Sequence, residues 1–104
     1  MKMYHGTTDI FKIKKLLPPI ITGQLREDWR KKYQDKVFIT PSIMSAEKFA
    51  YKAVQKYGGN GIVYEVRPHG QVFHVNTNEY ICSNATIIKI VEKYKNQWIL
   101  IGDD

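Results

Sequence analysis

Three of the acids and bases in this sequence attract notice as groups that could handle protons or charge in catalysis: His5, His74 and Glu79. An imidazole exchanges a proton near neutral pH. A carboxylate stabilises positive charge that develops during bond breaking. His5 is followed at once by Gly6 and Thr7, so the imidazole stands beside a backbone position that another group can approach closely for want of a Cβ. Taken alone, the tetrapeptide Tyr4-His5-Gly6-Thr7 is more simply a strand whose histidine is half buried and hydrogen-bonded. Other chemistries fit less well. Three histidines and a single cysteine occur without the close ligand spacing of a metal site. Cys82 lies in an apolar run with no basic neighbour in sequence, which does not favour a thiolate nucleophile. Gly58-Gly59-Asn60-Gly61 comes after a helical pattern, whereas a phosphate-capturing loop precedes its helix.

The length, 104 residues, fits one domain spanning residues 1–104. An apolar fraction of 43% with 25% charged residues is ordinary for a chain with one modest core, which argues against disorder. No run of apolar residues is long enough for a transmembrane helix, so no membrane role is expected. The first twenty residues lack the apolar stretch of a signal peptide. With one cysteine there is no intramolecular disulfide, and these features together lead to an expected cytoplasmic location, in a bacterium or in an infected host cell. The formal net charge of +6 favours anionic partners, nucleic acid, a nucleotide or an acidic protein surface, without choosing among them.

The elements that must position these residues follow from period and punctuation. Residues 2–5 and 36–40 have strand composition. Ala46, Phe49, Ala50, Ala53, Val54 and Tyr57 recur at helical spacing, which predicts an amphipathic helix over about 43–57 with Ser42 or Ser45 as N-cap and Gly58-Gly59 as its stop. Lys48, Lys52 and Lys56 line the opposite face at i, i+4; the simplest reading is a solvated face, the alternative a stripe that tracks phosphates. From Gly61 the period becomes two, predicting a strand over 61–67, a turn at Pro68-His69-Gly70, and strands over 72–75 and 79–82. Residues 85–94 and 97–101 read as a hairpin about Lys95-Asn96. Residues 20–35 are polar and irregular, with Leu25, Trp29 and Tyr33 spaced for a short helix or part of a loop beside a site. The expected class is α+β on antiparallel sheet.

Three segments in a fixed order carry a resemblance. They are Tyr4-His5-Gly6-Thr7, then Val37-Phe38-Ile39-Thr40 followed by the helical SIMSAEKFAYKA, then Asn78-Glu79-Tyr80-Ile81. In this order they resemble the ADP-ribosyltransferase superfamily, in the histidine–tyrosine–glutamate branch that includes diphtheria toxin and the poly-ADP-ribose polymerases. The first half is also similar to the rifampin ADP-ribosyltransferases. The resemblance implies split antiparallel β-sheets with one main helix near residues 43–57, NAD as substrate, and transfer of ADP-ribose to a protein, nucleic-acid or small-molecule acceptor, a macromolecule being favoured by the charge. It implies that His5 hydrogen-bonds the adenosine ribose, that Gly6 holds the nicotinamide carboxamide with Thr7 in support, and that Glu79 is catalytic. It places Phe38 against the nicotinamide ring, Phe49 as a second aromatic wall, and Ser45 near a hydroxyl that faces the carboxamide. Arg26, Trp29 and Arg30 become candidates to face acceptor or phosphate.

Two departures from the family pattern bear on activity. Phe38 stands where the family has tyrosine, keeping the ring and losing the hydroxyl. The rifampin enzymes carry an aspartate where this chain has residues 71–75 and no acid. A binding module for NAD or an ADP-ribose-like nucleotide, and a relative of the RNA 2′-phosphotransferases, therefore stand as alternatives. The small size would suit a phage or toxin protein.

Overall fold

The computed structural model describes residues 1–22, 26 and 29–94. Strands β1 (Met3–Thr8), β2 (Lys15–Leu16), β3 (Val37–Ile39), β4 (Gly61–His69), β5 (Phe73–Asn76), β6 (Glu79–Cys82) and β7 (Asn84–Tyr94) accompany a four-residue helix α1 (Pro19–Thr22) and the main helix α2 (Ile43–Tyr57). The strands form two antiparallel sheets, ordered β1-β4-β7-β2 and β3-β6-β5. The α+β class with antiparallel sheets and a principal helix is as expected. Among the described residues no helix is long and apolar enough to cross a membrane.

Alternation explains the packing. Met3, Ile62, Tyr64 and Val66 from the first sheet meet Val37, Ile39 and Cys82 from the second in one buried cluster. The other face of the first sheet is covered by α2, where Ala46 and Ala50 lie against Val63. That seam needs a strand residue without a side chain. A Cβ built on Gly6 would fall 1.7 Å from the Ala46 carbonyl oxygen, so the close approach that Gly6 permits is made by the helix backbone itself. Helix α2 begins where Ser42 Oγ accepts the backbone N–H of Ser45 at 3.1 Å, which makes Ser42 the N-cap. It ends at Gly58, φ 84°, whose N–H returns to the Val54 carbonyl.

Among the described residues, backbone pairing joins the two sheets at one bridge. Tyr4 and Thr40 exchange both backbone hydrogen bonds, 2.7 and 3.0 Å, as an isolated bridge between β1 and the end of β3. Beyond it the strands part.

One expected chain break is corrected. Pro68 and His69 do not turn the chain but remain in β4, paired with Ala85 and Asn84, and the turn falls at Gly70 with φ 77°. Pairing between β1 and β4 stops at Met3–Val66, so beyond that point β4 has an open edge where a residue lacking an N–H is tolerated. Asn84 opens β7. Pro19 begins α1, a position that suits its fixed φ and missing donor. The second arm of the expected hairpin, residues 97–101, lies outside the described residues. So does part of the face expected from Leu25, although a five-residue 3-10 helix spans Trp29–Tyr33.

Candidate functional site

Where β1 and β3 diverge they leave a cleft of about 500 Å3. One wall is β1, contributing Tyr4, His5, Gly6 and Thr7; another is β3, contributing Phe38; and α2 lends Phe49, Lys52 and Lys56. Arg26 closes a side, and Phe11 and Tyr57, in edge-to-face contact at 5.0 Å, stand in the wall where the 3-10 turn Asp9–Phe11 meets the end of α2.

The backbone of Gly6 is the most informative feature. In a strand, residues i and i+2 direct their N–H and C=O off the same edge. Tyr4 spends both groups on Thr40, so those of Gly6 project off that same edge, away from β4 and into the gap left by the departing β3. A donor and an acceptor thus lie side by side at the cleft, matched to a planar group that offers the converse pair. A primary carboxamide is such a group.

His5 is half-buried. Its Nδ1 lies 2.9 Å from the Phe38 carbonyl oxygen, which only accepts, so Nδ1 carries the proton and Nε2 is left as an acceptor. Burial holds the imidazole down at about 4; the bond to Phe38 opposes this and the Arg26 guanidinium adds to it. At neutral pH the ring is uncharged, and Nε2 can accept a hydrogen bond from a hydroxyl.

Phe38 is buried, with Tyr33 edge-on at 5.7 Å and the Arg26 guanidinium 4.8 Å above its ring. Arg26 is fixed by donating to the carbonyls of Tyr33 (2.8 Å) and Lys36 (3.2 Å). Lys52 and Lys56 stand over the rings of Phe49 and Tyr57 at 6.0 and 5.2 Å. Among the described residues the cleft is lined by these three cations and by no carboxylate, so its field favours an anionic ligand.

Glu79 lies in a second, smaller hollow of about 230 Å3, with Ser45, Lys48 and the turn Asn76-Thr77-Asn78. Phe49 and Lys52 line both hollows, so the two adjoin. The register agrees. Ile39 pairs with Tyr80, and one further step sets Thr40, the bridge partner of Tyr4, opposite Glu79. Tyr4 and Glu79 therefore flank Thr40, each one strand away.

Of the residues singled out in the sequence, His5, Gly6, Thr7, Phe38 and Phe49 share the main cleft. Glu79 and Ser45 share the adjoining hollow, and Ser45 faces Glu79's surroundings rather than Gly6. His74 is outside both, stacked on Tyr80 with ring centres 4.7 Å apart. Among the described residues no group of three His, Cys, Asp or Glu side chains is placed to hold a metal ion. Lys52 and Lys56, read most simply as a solvated face, line the cleft. The sequence carried a sign of this, since Phe49, Lys52, Ala53 and Lys56 fall at i, i+3, i+4 and i+7, a single helical stripe. Comparison with models of protein families, with curated proteins and with solved structures found no match.

Proposed function

We propose that this protein is an ADP-ribosyltransferase that takes NAD as substrate, releases nicotinamide and passes ADP-ribose to a macromolecular acceptor. The observation that carries this reading is the open edge of β1 at Gly6, set between the His5 imidazole and the Phe38 ring in a cationic cleft that adjoins Glu79. The Gly6 N–H would donate to the carboxamide oxygen and its C=O would accept from the carboxamide NH2. Phe38 and Phe49 would hold the flat ring, Thr7 would back the same pocket, and His5 Nε2 would accept from a ribose hydroxyl. Arg26, Lys52 and Lys56 would face the diphosphate.

In the reaction the bond between nicotinamide nitrogen and ribose C1 breaks, and its electron pair leaves with nicotinamide, which departs neutral. Positive charge develops on the ribose, as in glycoside cleavage. The Glu79 carboxylate, acting from the neighbouring hollow through the ribose hydroxyls, stabilises that charge. A lone pair of the acceptor forms the new bond at C1, and the acceptor's proton passes to Glu79 or to water. Positioning in the cleft supplies the rest of the rate.

The test is transfer of label from NAD into lysate macromolecules by the wild-type protein and by Glu79→Gln. Transfer that is lost in the variant supports the reading. Tight NAD binding without nicotinamide release would instead support a binding module, which the absent hydroxyl at Phe38 favours. Activity confined to 2′-phosphorylated RNA would support a phosphotransferase, which the three cleft cations favour.

A further inference from the structure

The three-stranded sheet has two unlike faces. One carries Val37, Ile39 and Cys82 into the core. On the other, register sets Phe38, Ile81 and Phe73 in one row across β3, β6 and β5. The next row along the same face pairs Glu79 with Asn76. Phe38 and Ile81 are buried, but Phe73, on the edge strand about 10 Å from Phe38, is 49% exposed. An aromatic ring thus stands open to solvent one strand spacing from Ile81 and beside the hollow that holds Glu79. The hollow's α2 side carries Lys48 and Lys52, which among the described residues are in no ion pair. A ring that offers a π-face next to cations on a protein of net charge +6 complements a flexible polyanion with exposed planar bases.

We infer that the Phe73 edge and the Lys48 side of the Glu79 hollow bind single-stranded nucleic acid as the acceptor, one base stacking on Phe73 while the backbone phosphates meet Lys48. This rests on the reading of Glu79 as the transferase carboxylate. Single strands are favoured over duplex because a stacked duplex base has no free face for Phe73. The turn Asn76-Thr77-Asn78 supplies amide and hydroxyl groups at the same rim.

The test is fluorescence anisotropy with labelled single-stranded DNA, single-stranded RNA, duplex DNA and an acidic peptide, with NAD cleavage measured alongside. Single strands are expected to bind more tightly than duplex or peptide. Phe73→Ser is expected to weaken that binding about ten-fold while leaving NAD cleavage unchanged. Lys48→Gln is expected to flatten the dependence of log K on log salt by about 0.7. Oligonucleotide affinity unaffected by Phe73→Ser, binding of the peptide alone, or NAD cleavage without label reaching a bound oligonucleotide would overturn the inference and leave the transferase reading standing. Phe73-dependent oligonucleotide binding by a protein that neither binds nor cleaves NAD would uphold the surface and sink the transferase reading.

Discussion

The two hollows that meet at Phe49 and Lys52 are built from opposite materials. The larger is walled by aromatic rings, a strand edge and three cations, with no carboxylate among its described lining residues. The smaller is mainly polar, formed by two hydroxyls, two amides, two lysines and Glu79, with Phe49 shared between the two. The first has what holding an anionic nucleotide requires: flat surfaces, one donor–acceptor pair and positive charge. The second has the group that can respond to charge created at a ribose. On the transferase reading, that separation would keep the carboxylate from repelling the diphosphate. On the proposed reading, substitutions in the larger hollow are expected to change binding or folding, and those in the smaller to change rate.

The largest effect that would break this division is expected at Glu79. Glu79→Gln should lower nicotinamide release by about 100- to 1,000-fold with little change in NAD affinity, measured by steady-state release alongside calorimetry. An equal loss of affinity would mean that the smaller hollow binds as well as reacts. Gly6→Val comes next. Its side chain would meet the α2 backbone, and urea denaturation should show a loss of about 3 kcal/mol or more.

The third prediction concerns pH. His5 is held at about 4 against an ordinary 6.5. As pH falls through 6.5 the unfolded chain takes up a proton on this residue, and the folded chain does not until about 4. Its contribution is therefore full above 6.5 and declines by about 3 kcal/mol across the window. Urea midpoints between pH 7 and 4.5 should show the slope, and His5→Gln should flatten it. Ser42→Ala should cost about 1 kcal/mol through loss of the N-cap, without altering the ratio of affinity to rate. The smallest effect is expected from Arg26→Met, which removes a cation beside the imidazole and should move the His5 titration upward, read from its NMR signals against pH.

What was legible in the sequence was local. Helix α2 could be read because six apolar residues repeat at its period between a serine cap and two glycines. The role of Gly6 was half legible: the need for a close approach was visible, but not that α2 makes it, since Ala46 and Ala50 carry no sign of which strand they cover. Strand β2 is two residues long, set between Lys14 and Leu17, and its place beside β7 depends on pairing with Ala85 and Thr86 some seventy residues away. Pro68 reads locally as a breaker, and only the early end of β1 makes it harmless within β4. The pairing of β3 with β6, which brings Phe38 and Glu79 onto one face, is likewise a long-range contact without a local signature. Arg26 reaches the cleft by its bonds to the carbonyls of Tyr33 and Lys36, which composition does not foretell.

The central claim is that the open edge of β1 receives a carboxamide. Titrating nicotinamide into isotopically labelled protein, with the Gly6 amide followed by NMR, tests it most directly. The account predicts that the Gly6 resonance moves with the largest shifts, accompanied by the Phe38 and Phe49 ring signals. A Gly6 amide that stays still while nicotinamide shifts residues of β7 such as Ile88 and Ile90 would contradict it.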